Sequence, residues 1–305
     1  MRIALMGQAA FGASSLEALL KEGEEIVAVY APPDRPGGKA DPLAILAREK
    51  ELPVLQPHSY KDTGAVSSLQ EFSPDLLIMA FVTAILPKPF LEIPTHGSIC
   101  YHPSLLPRHR GASAINWAIM MGDEETGLSI FWTDGGIDTG PVLLQKKVPI
   151  RPEDTTGSLY FKSLFPMGID AILESVRLIK AGNAPRITQE ESLATYEPPC
   201  DDKVAKIDWS RPGQDIYNLI RGCDPQPGAY CTWKGEKTRL YSTRFQADRS
   251  EGLSGEILGL EQDHLMVSTG KGVLEISKVR TPALGKVEAS KFVAESGIKN
   301  GDRLQ

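Results

Sequence analysis

The chain has 305 residues, of which 41% are apolar and 24% are charged, and its formal net charge is −6 at pH 7. These proportions are ordinary for a globular protein, without the basic excess expected of a nucleic-acid binder. No segment approaches the roughly 18 uninterrupted apolar residues of a membrane span, so we expect no transmembrane helix. A single core stops growing near this length, and we therefore predict two domains.

Cysteine usage and the first residues indicate the compartment. Four cysteines, Cys100, Cys200, Cys223 and Cys231, are scattered without a Cys-x-x-Cys pair. This spacing suggests neither a zinc site nor a disulfide framework, so we expect reduced thiols. Residues 1–7 are typical of a strand and not of a signal peptide. We therefore expect a cytoplasmic protein.

Strands and helices alternate along the first half of the chain. Strands are predicted at 2–6, 25–30, 53–55, 76–81 and 97–101, and helices at 14–21, 42–50 and 65–72, the second capped by Asp41. A helix at 112–120, strands at 126–132 and 142–148, and one or two helices over 155–181 ending at Gly182 follow. Strands separated by helices predict an α/β fold with a parallel sheet covered on both faces.

The composition changes near residue 190, and short strands dominate beyond it. After a helix at 214–221, strands are predicted at 230–233, 238–241, 255–260, 264–268 and 273–279. Strands of this length and spacing are typical of a small antiparallel barrel. The sequence therefore predicts a first domain at 1–189, a linker at 190–206 and a second domain at 207–305.

A glycine-rich turn, residues 7–12, follows the first strand and has two interpretations. It could hold a dinucleotide, but the Gly-x-Gly-x-x-Gly spacing is missing, and the second strand ends without an acid placed for a ribose. The better interpretation is that these glycines let a strand turn tightly into a helix. We therefore expect no NAD(P) cofactor.

The segment 100–111 is the strongest candidate for chemistry. His102 follows an apolar strand, at the kind of sheet edge where α/β proteins bind ligands. Imidazole exchanges protons near neutral pH, and Pro103 and Pro107 restrict the loop. About thirty residues later, the glycine-flanked Asp138 could orient the imidazole and stabilise its charged form. A purely structural histidine is the alternative, but the combination favours a catalytic pair.

The run from His102 to Trp117 resembles the N-terminal hydrolase domain of 10-formyltetrahydrofolate dehydrogenase. More distantly, the Ser-Leu-Leu-Pro-x-x-Arg-Gly core and residues 137–140 resemble methionyl-tRNA formyltransferase. Further matching segments lie at 1–4, 38–43, 206–209 and 220–222. The resemblance implies a 10-formyltetrahydrofolate-dependent formyltransferase: a Rossmann-like parallel-sheet domain, then a small OB-like β-barrel domain. It also maps the family's essential histidine and aspartate onto His102 and Asp138.

The same resemblance implies where the folate binds. A planar heterocycle needs apolar walls and fixed polar backbone groups, and the family's pterin pocket maps onto the loop after the strand at 76–81. The implied folate-binding residues are Phe81, Ala84, Ile85, Leu86, Pro87, Ser104, Leu105, Leu106 and Asp134. Without the resemblance, the loop at 81–87 would be an ordinary packing segment. Arg108 or Arg110 could meet an anionic substrate or simply anchor the loop, and Asn116 is given no definite role.

Cys100 is where the sequence departs from both relatives. Two residues before the histidine, the tRNA enzymes carry an asparagine and the hydrolase domain an isoleucine. The thiol could act catalytically, as a weak donor or as a transient formyl acceptor if His102 lowered its pKa. The alternative, which we favour, is a small buried filler at the end of a strand.

Three functions stay open. The leading one is an enzyme of one-carbon metabolism that releases tetrahydrofolate from 10-formyltetrahydrofolate, by hydrolysis or by formyl transfer to an amine, with no metal required. Methionyl-tRNA formylation is the runner-up, because residues 205–305 carry only 15 basic against 13 acidic residues and the loop 31–41 is short. A non-catalytic folate-binding module is the third. The sequence identifies neither the formyl acceptor nor the oligomeric state.

Overall fold

The computed structural model describes residues 1–305, which form two compact units. The strands are β1 Arg2–Gly7, β2 Glu25–Tyr30, β3 Val54–Leu55, β4 Leu76–Ala80, β5 Ser98–His102, β6 Glu125–Trp132, β7 Val142–Pro149, β8 Tyr230–Trp233, β9 Glu236–Gln246, β10 Ile257–Glu261, β11 His264–Ser268, β12 Val273–Thr281 and β13 Gly285–Glu288. The α-helices are α1 Ala9–Lys21, α2 Pro42–Glu49, α3 Thr63–Phe72, α4 Lys88–Leu91, α5 Ala114–Met120, α6 Thr156–Leu159, α7 Phe165–Lys180, α8 Gly213–Gly222 and α9 Ala289–Ser296. A π-helical turn, Tyr160–Leu164, joins α6 to α7, and a 3-10 turn lies at Glu191–Leu193.

The first unit contains a seven-stranded sheet in the order β3-β2-β1-β4-β5-β6-β7. Its first five strands pair in parallel, as predicted. β6 instead pairs antiparallel with β5, so the sheet is mixed. A parallel return needs a crossover helix lying on the sheet. The intervening helix α5 belongs to the second unit, where it packs against α8, so no helix of the first unit connects β5 to β6.

Both faces of this sheet are buried, because alternate residues of each strand enter different cores. In β1, Ile3 and Leu5 pack beneath α1, α2 and α7, whereas Ala4 and Met6 face the side covered by α3 and α4. Cys100 belongs to the second core. The prediction of a Rossmann-like sheet covered on both faces is confirmed.

The turn after β1 is built by close packing. A Cβ at Gly7 would lie 2.4 Å from the carbonyl oxygen of Ala80 at the end of β4. Asp41 caps α2 by accepting from the Leu43 amide at 2.9 Å, and it also accepts from the Ala9 amide at the start of α1. The predicted Asp41 cap is therefore confirmed. The absence of a side chain at Gly7 lets β1 and β4 lie close together at this point.

The second unit contains an antiparallel sheet in the order β10-β11-β12-β9-β8, with β13 added along β12. The apolar faces of α8 and α9 complete its core. The edge strands β10 and β8 do not pair directly. Backbone hydrogen bonds instead join residues 301–305 to Ile257 and Gly255 on one side and to Thr232 on the other. This segment therefore bridges both edges, while the OB-like character stays a prediction.

The sequence prediction missed several features of the second half. β9 is far longer than the predicted 238–241, and β13 and α9 were not predicted. β9 alternates buried and exposed side chains only irregularly, and β13 buries little apolar surface, so both give a weak period-two pattern.

The two units interleave along the chain, unlike the contiguous domains predicted at 1–189 and 207–305. Residues 112–126, 149–161 and 197–305 make up the second unit. The inserted segments are tied to α8, since the Gly222 carbonyl accepts from Asn116 at 2.7 Å and Thr156 at 2.6 Å. Buried Arg221 donates to the Asp154 carbonyl. Residues 190–196 of the predicted linker belong to the first unit.

Replacing Gly7 with alanine should destabilise the protein by about 1–3 kcal/mol, because the new methyl group would press on backbone that cannot move aside. Urea unfolding of the Gly7→Ala variant measures this loss. Gly64→Ala is the matched control, since a Cβ at Gly64 in α3 would meet nothing within 4 Å. Equal stability of the two variants would contradict the packing role.

Candidate active site

The candidate site lies in the first unit, where β4 and β5 end. These strands are parallel, so Phe81 and His102 mark the same edge of the sheet. β6 runs the other way and leaves Trp132 paired with Ile99, three residues before His102. The loop 134–140 then returns Asp138 to the imidazole. The structure therefore brings together the histidine and aspartate that the sequence singled out.

His102 is buried, with 8% of its side chain exposed. Its Nε2 lies 2.7 Å from the carbonyl oxygen of His109, and its Nδ1 lies 3.5 Å from Oδ2 of Asp138. A carbonyl oxygen only accepts, so Nε2 must carry a proton. Nδ1, which faces the Asp138 carboxylate, is left free to exchange a proton with a group placed beside Asp138.

Asp138 is held from both its side chain and its backbone. The Gly111 amide donates to Oδ2 at 2.7 Å, and the backbone of Asp138 is left-handed, with φ of +56°. The Gln189 side-chain amide donates to the carbonyls of Asp138 at 2.8 Å and Gly140 at 2.7 Å. Two donated bonds from one amide fix this strained turn, and 16% of the Asp138 side chain stays exposed.

Arg110 connects Gln189 to the loop that follows His102. Its guanidinium is fully buried and donates to Oε1 of Gln189 at 2.9 Å, to both carboxylate oxygens of Glu191 and to the Tyr196 hydroxyl. The paired contacts with Glu191 are bidentate. The hydrogen bond from Arg110 holds the pKa of Glu191 below its usual value. Of the two roles considered for this arginine, the structure supports the loop anchor.

Backbone pairing completes the attachment of residues 189–196 to the loop. The Arg110 amide donates to the Thr195 carbonyl at 3.0 Å, and the His109 amide donates to the Thr195 hydroxyl at 2.8 Å. Sequence reasoning assigned this stretch to a linker and missed Gln189 altogether. Its polar residues carry no periodic signal, and only the folded chain shows which carbonyls they reach.

Asp134 accepts hydrogen bonds from other residues of the loop 134–140. Its Oδ1 accepts from the Gly136 amide at 2.9 Å and from the Thr139 hydroxyl at 2.6 Å. A Cβ at Gly140 would lie 1.7 Å from the Trp132 carbonyl oxygen, so only glycine fits there. Asp134 is exposed, but these hydrogen bonds give its carboxylate a role within the loop that needs no ligand.

Cys100 is buried two residues before His102, on the same face of β5. Its Sγ lies 3.5 Å from the Tyr101 carbonyl oxygen. Burial raises the pKa of this thiol, and the charge of Asp138 raises it further. The environment therefore favours the neutral thiol, which is a poor nucleophile.

The segment predicted to bind folate divides into exposed and buried parts. Phe81 and Ile85 expose 44% and 72% of their surface, whereas Leu86 is buried in the core. Ser104 is fully buried, and its hydroxyl donates to the Arg108 carbonyl at 2.6 Å. Leu106 is buried as well, and Ala84 is exposed while Pro87 and Leu105 are half-buried. Phe81 and Ile85 therefore offer a ligand the most apolar surface.

The structure contains no group of three or more histidine, cysteine or acidic side chains that could hold a metal ion. None of the helices has both the length and the apolar character needed to cross a membrane.

Family models match most of the chain. The model of the formyl transferase family matches residues 1–169, and that of the formyl transferase C-terminal domain matches residues 201–297. The first match contains both His102 and Asp138.

Curated relatives agree with these matches. The mitochondrial 10-formyltetrahydrofolate dehydrogenase of Mus musculus is 41% identical over 276 residues, 88% of this chain. The chain spans only 30% of that relative's length. The methionyl-tRNA formyltransferase of Syntrophus aciditrophicus (strain SB) is 38% identical over 99% of this chain and 98% of its own.

A solved structure shares the fold. HypX from Aquifex aeolicus, in complex with tetrahydrofolic acid, superposes with a TM-score of 0.67 at 19% identity, covering 99% of this chain and 50% of its own.

Replacing Arg110 with methionine should lower the free energy of unfolding by about 1–3 kcal/mol, because the loop loses the hydrogen bonds that the buried guanidinium donates to Gln189 and Tyr196. Urea unfolding measures the loss. Arg35→Met, at an exposed position, is the control and should change stability by less than about 0.5 kcal/mol. Similar values for both variants would argue against the anchoring role.

Proposed function

The chain belongs to the formyl transferase family, and on that premise we propose that it uses 10-formyltetrahydrofolate as its formyl donor. Tetrahydrofolate is released either by hydrolysis or by transfer of the formyl group to an amine. The observation that carries the proposal is the buried pair of His102 and Asp138, 3.5 Å apart at the edge of the sheet.

The donor supplies a formyl carbon bonded to a nitrogen that must leave. His102, at the end of β5, stabilises the negative charge that develops on the formyl oxygen during attack when its Nδ1 carries a proton, because Nε2 already donates to the His109 carbonyl. Asp138 accepts the proton of the attacking water or amine and helps return it to the departing nitrogen. The bond from the nucleophile to the formyl carbon forms, and the carbon–nitrogen bond to the folate breaks.

The rigidity of the pair supports this assignment of roles. The Gly111 amide leaves Asp138 one well-defined orientation, and the Nε2 contact with the His109 carbonyl fixes the imidazole plane. Groups that are already oriented need no reorganisation when charge develops. A non-catalytic folate module would gain nothing from a carboxylate strained into this position.

Folate binding rests on the apolar surface beside the pair. We assign the pterin to the loop after β4, where Phe81 and Ile85 are exposed and buried Leu86 anchors the backbone. Large exposed apolar side chains next to fixed polar backbone groups suit a planar heterocycle. Ser104 and Asp134 support the surrounding loops through their own hydrogen bonds.

We assign Cys100 a packing role beside the pair. Its thiol is buried among core residues with a raised pKa, so a covalent formyl–sulfur step would begin from an unfavourable protonation state. A neutral S–H group can still act as a weak hydrogen-bond donor.

Methionyl-tRNA is the second candidate acceptor. It is favoured by one specific observation, the match with a methionyl-tRNA formyltransferase along nearly the whole of both chains. The near-balanced charge of residues 205–305 argues against it, because phosphate neutralisation dominates affinity for nucleic acid.

The variants His102→Ala and Asp138→Asn should each lower the rate of tetrahydrofolate formation by about 10²-fold or more, because each removes a group acting on the reacting atoms. His96→Ala and Asp170→Asn, both at exposed positions, are the matched controls and should keep full activity. Turnover is followed by tetrahydrofolate absorbance. Undiminished rates in both site variants would refute their roles.

The acceptor is identified by incubating the protein with 10-formyltetrahydrofolate alone, with small amines and with methionyl-tRNA. We expect tetrahydrofolate to form without tRNA, accompanied by formate in the hydrolytic case or by a formylated amine. Tetrahydrofolate formed only when methionyl-tRNA is present would assign the chain to the second candidate. Formation under none of these conditions would contradict the proposed donor chemistry.

A further inference from the structure

Two cysteines that lie far apart in the sequence meet in the second unit. Sγ of Cys200 lies 3.6 Å from Sγ of Cys223. Cys200 follows the two prolines at 198–199, and Cys223 is the C-cap of α8. Sulfur atoms at this separation must approach by about 1.5 Å to reach the length of a disulfide bond.

Local hydrogen bonds hold both cysteines in place. The backbone amide of Cys200 donates to the Ser113 hydroxyl at 3.1 Å. The amide of Cys223 donates to the Leu219 carbonyl, and its sulfur lies 4.0 Å from Sδ of Met120 in α5. The two thiols therefore stay close together in the folded protein.

The two thiols have unlike surroundings. Cys200 is half-buried and reachable from solvent, whereas Cys223 is fully buried. The hydrogen bond between them lowers the pKa of Cys200 and raises the pKa of Cys223, which burial raises further. An accessible thiol that ionises more easily, beside a buried partner, is the usual arrangement of an attacking and a resolving cysteine.

We propose that Cys200 and Cys223 form an oxidisable dithiol, a modification site that takes hydroperoxides and closes to an intramolecular disulfide. The site is independent of the proposed formyl chemistry, because neither cysteine belongs to the unit that holds His102 and Asp138.

The reaction balances in two steps. The Cys200 thiolate attacks one oxygen of hydrogen peroxide, the O–O bond breaks, and after proton transfer the products are a sulfenic acid and water. The Cys223 thiol then attacks the Cys200 sulfur, the S–O bond breaks, and a second water leaves. Two thiols are oxidised by two electrons, and the peroxide is reduced to two waters.

The test uses the full chain, reduced and then treated with one equivalent of hydrogen peroxide. After denaturation and alkylation, intact mass should show two fewer alkylated thiols and the loss of two hydrogens, and peptide mapping should join residues 200 and 223. Cys231→Ser is the matched control and should behave as the wild type, since burial raises the pKa of Cys231 to about 12. Cys200→Ser and Cys223→Ser should abolish the cross-link.

Two further measurements keep the proposal falsifiable if a variant folds poorly. In the wild type, phenylarsine oxide should bind with one-to-one stoichiometry, because trivalent arsenic bridges two adjacent thiols. Native alkylation should modify Cys200 at least about tenfold faster than Cys231. Four alkylatable thiols after peroxide treatment, a cross-link between other cysteines, or the absence of arsenical binding would each overturn the dithiol.

Discussion

The geometry of the candidate site depends on the burial of one guanidinium. Arg110 carries its charge into the interior of the first unit, where it is stable only because Gln189, Glu191 and Tyr196 accept its hydrogen bonds. Satisfying that buried charge draws residues 189–196 against the loop that follows His102. This attachment also places the Gln189 side-chain amide where it donates to the carbonyls of Asp138 and Gly140.

This constraint explains how a strained carboxylate persists. Asp138 occupies a left-handed backbone conformation, which disfavours most residues and which the surrounding hydrogen bonds must enforce. The Gly111 amide and the Gln189 amide act on its side chain and its backbone, respectively. The resulting orientation toward His102 suits the proton transfer proposed for this pair, because the two groups are aligned before a substrate arrives.

The second unit has a different organisation, in which α8 gathers segments from distant parts of the chain. Hydrogen bonds to the Gly222 carbonyl join α5 and α6 to the end of this helix, and the sulfur pair of Cys200 and Cys223 lies at the same end. The Cys223 sulfur of this pair lies 4.0 Å from Sδ of Met120 in α5. The dithiol is thus a product of tertiary structure, since the two cysteines lack any spacing motif.

The sequence by itself determined most strands and helices of the first unit and the Asp41 cap, and it singled out His102 and Asp138 as candidates, because periodic burial, capping and motif spacing are local properties. Only the tertiary structure decided the antiparallel entry of β6, the interleaved units and the role of Gln189. Those features depend on hydrogen bonds between residues far apart in the chain, and a buried charge finds its partners only after the backbone has folded around it.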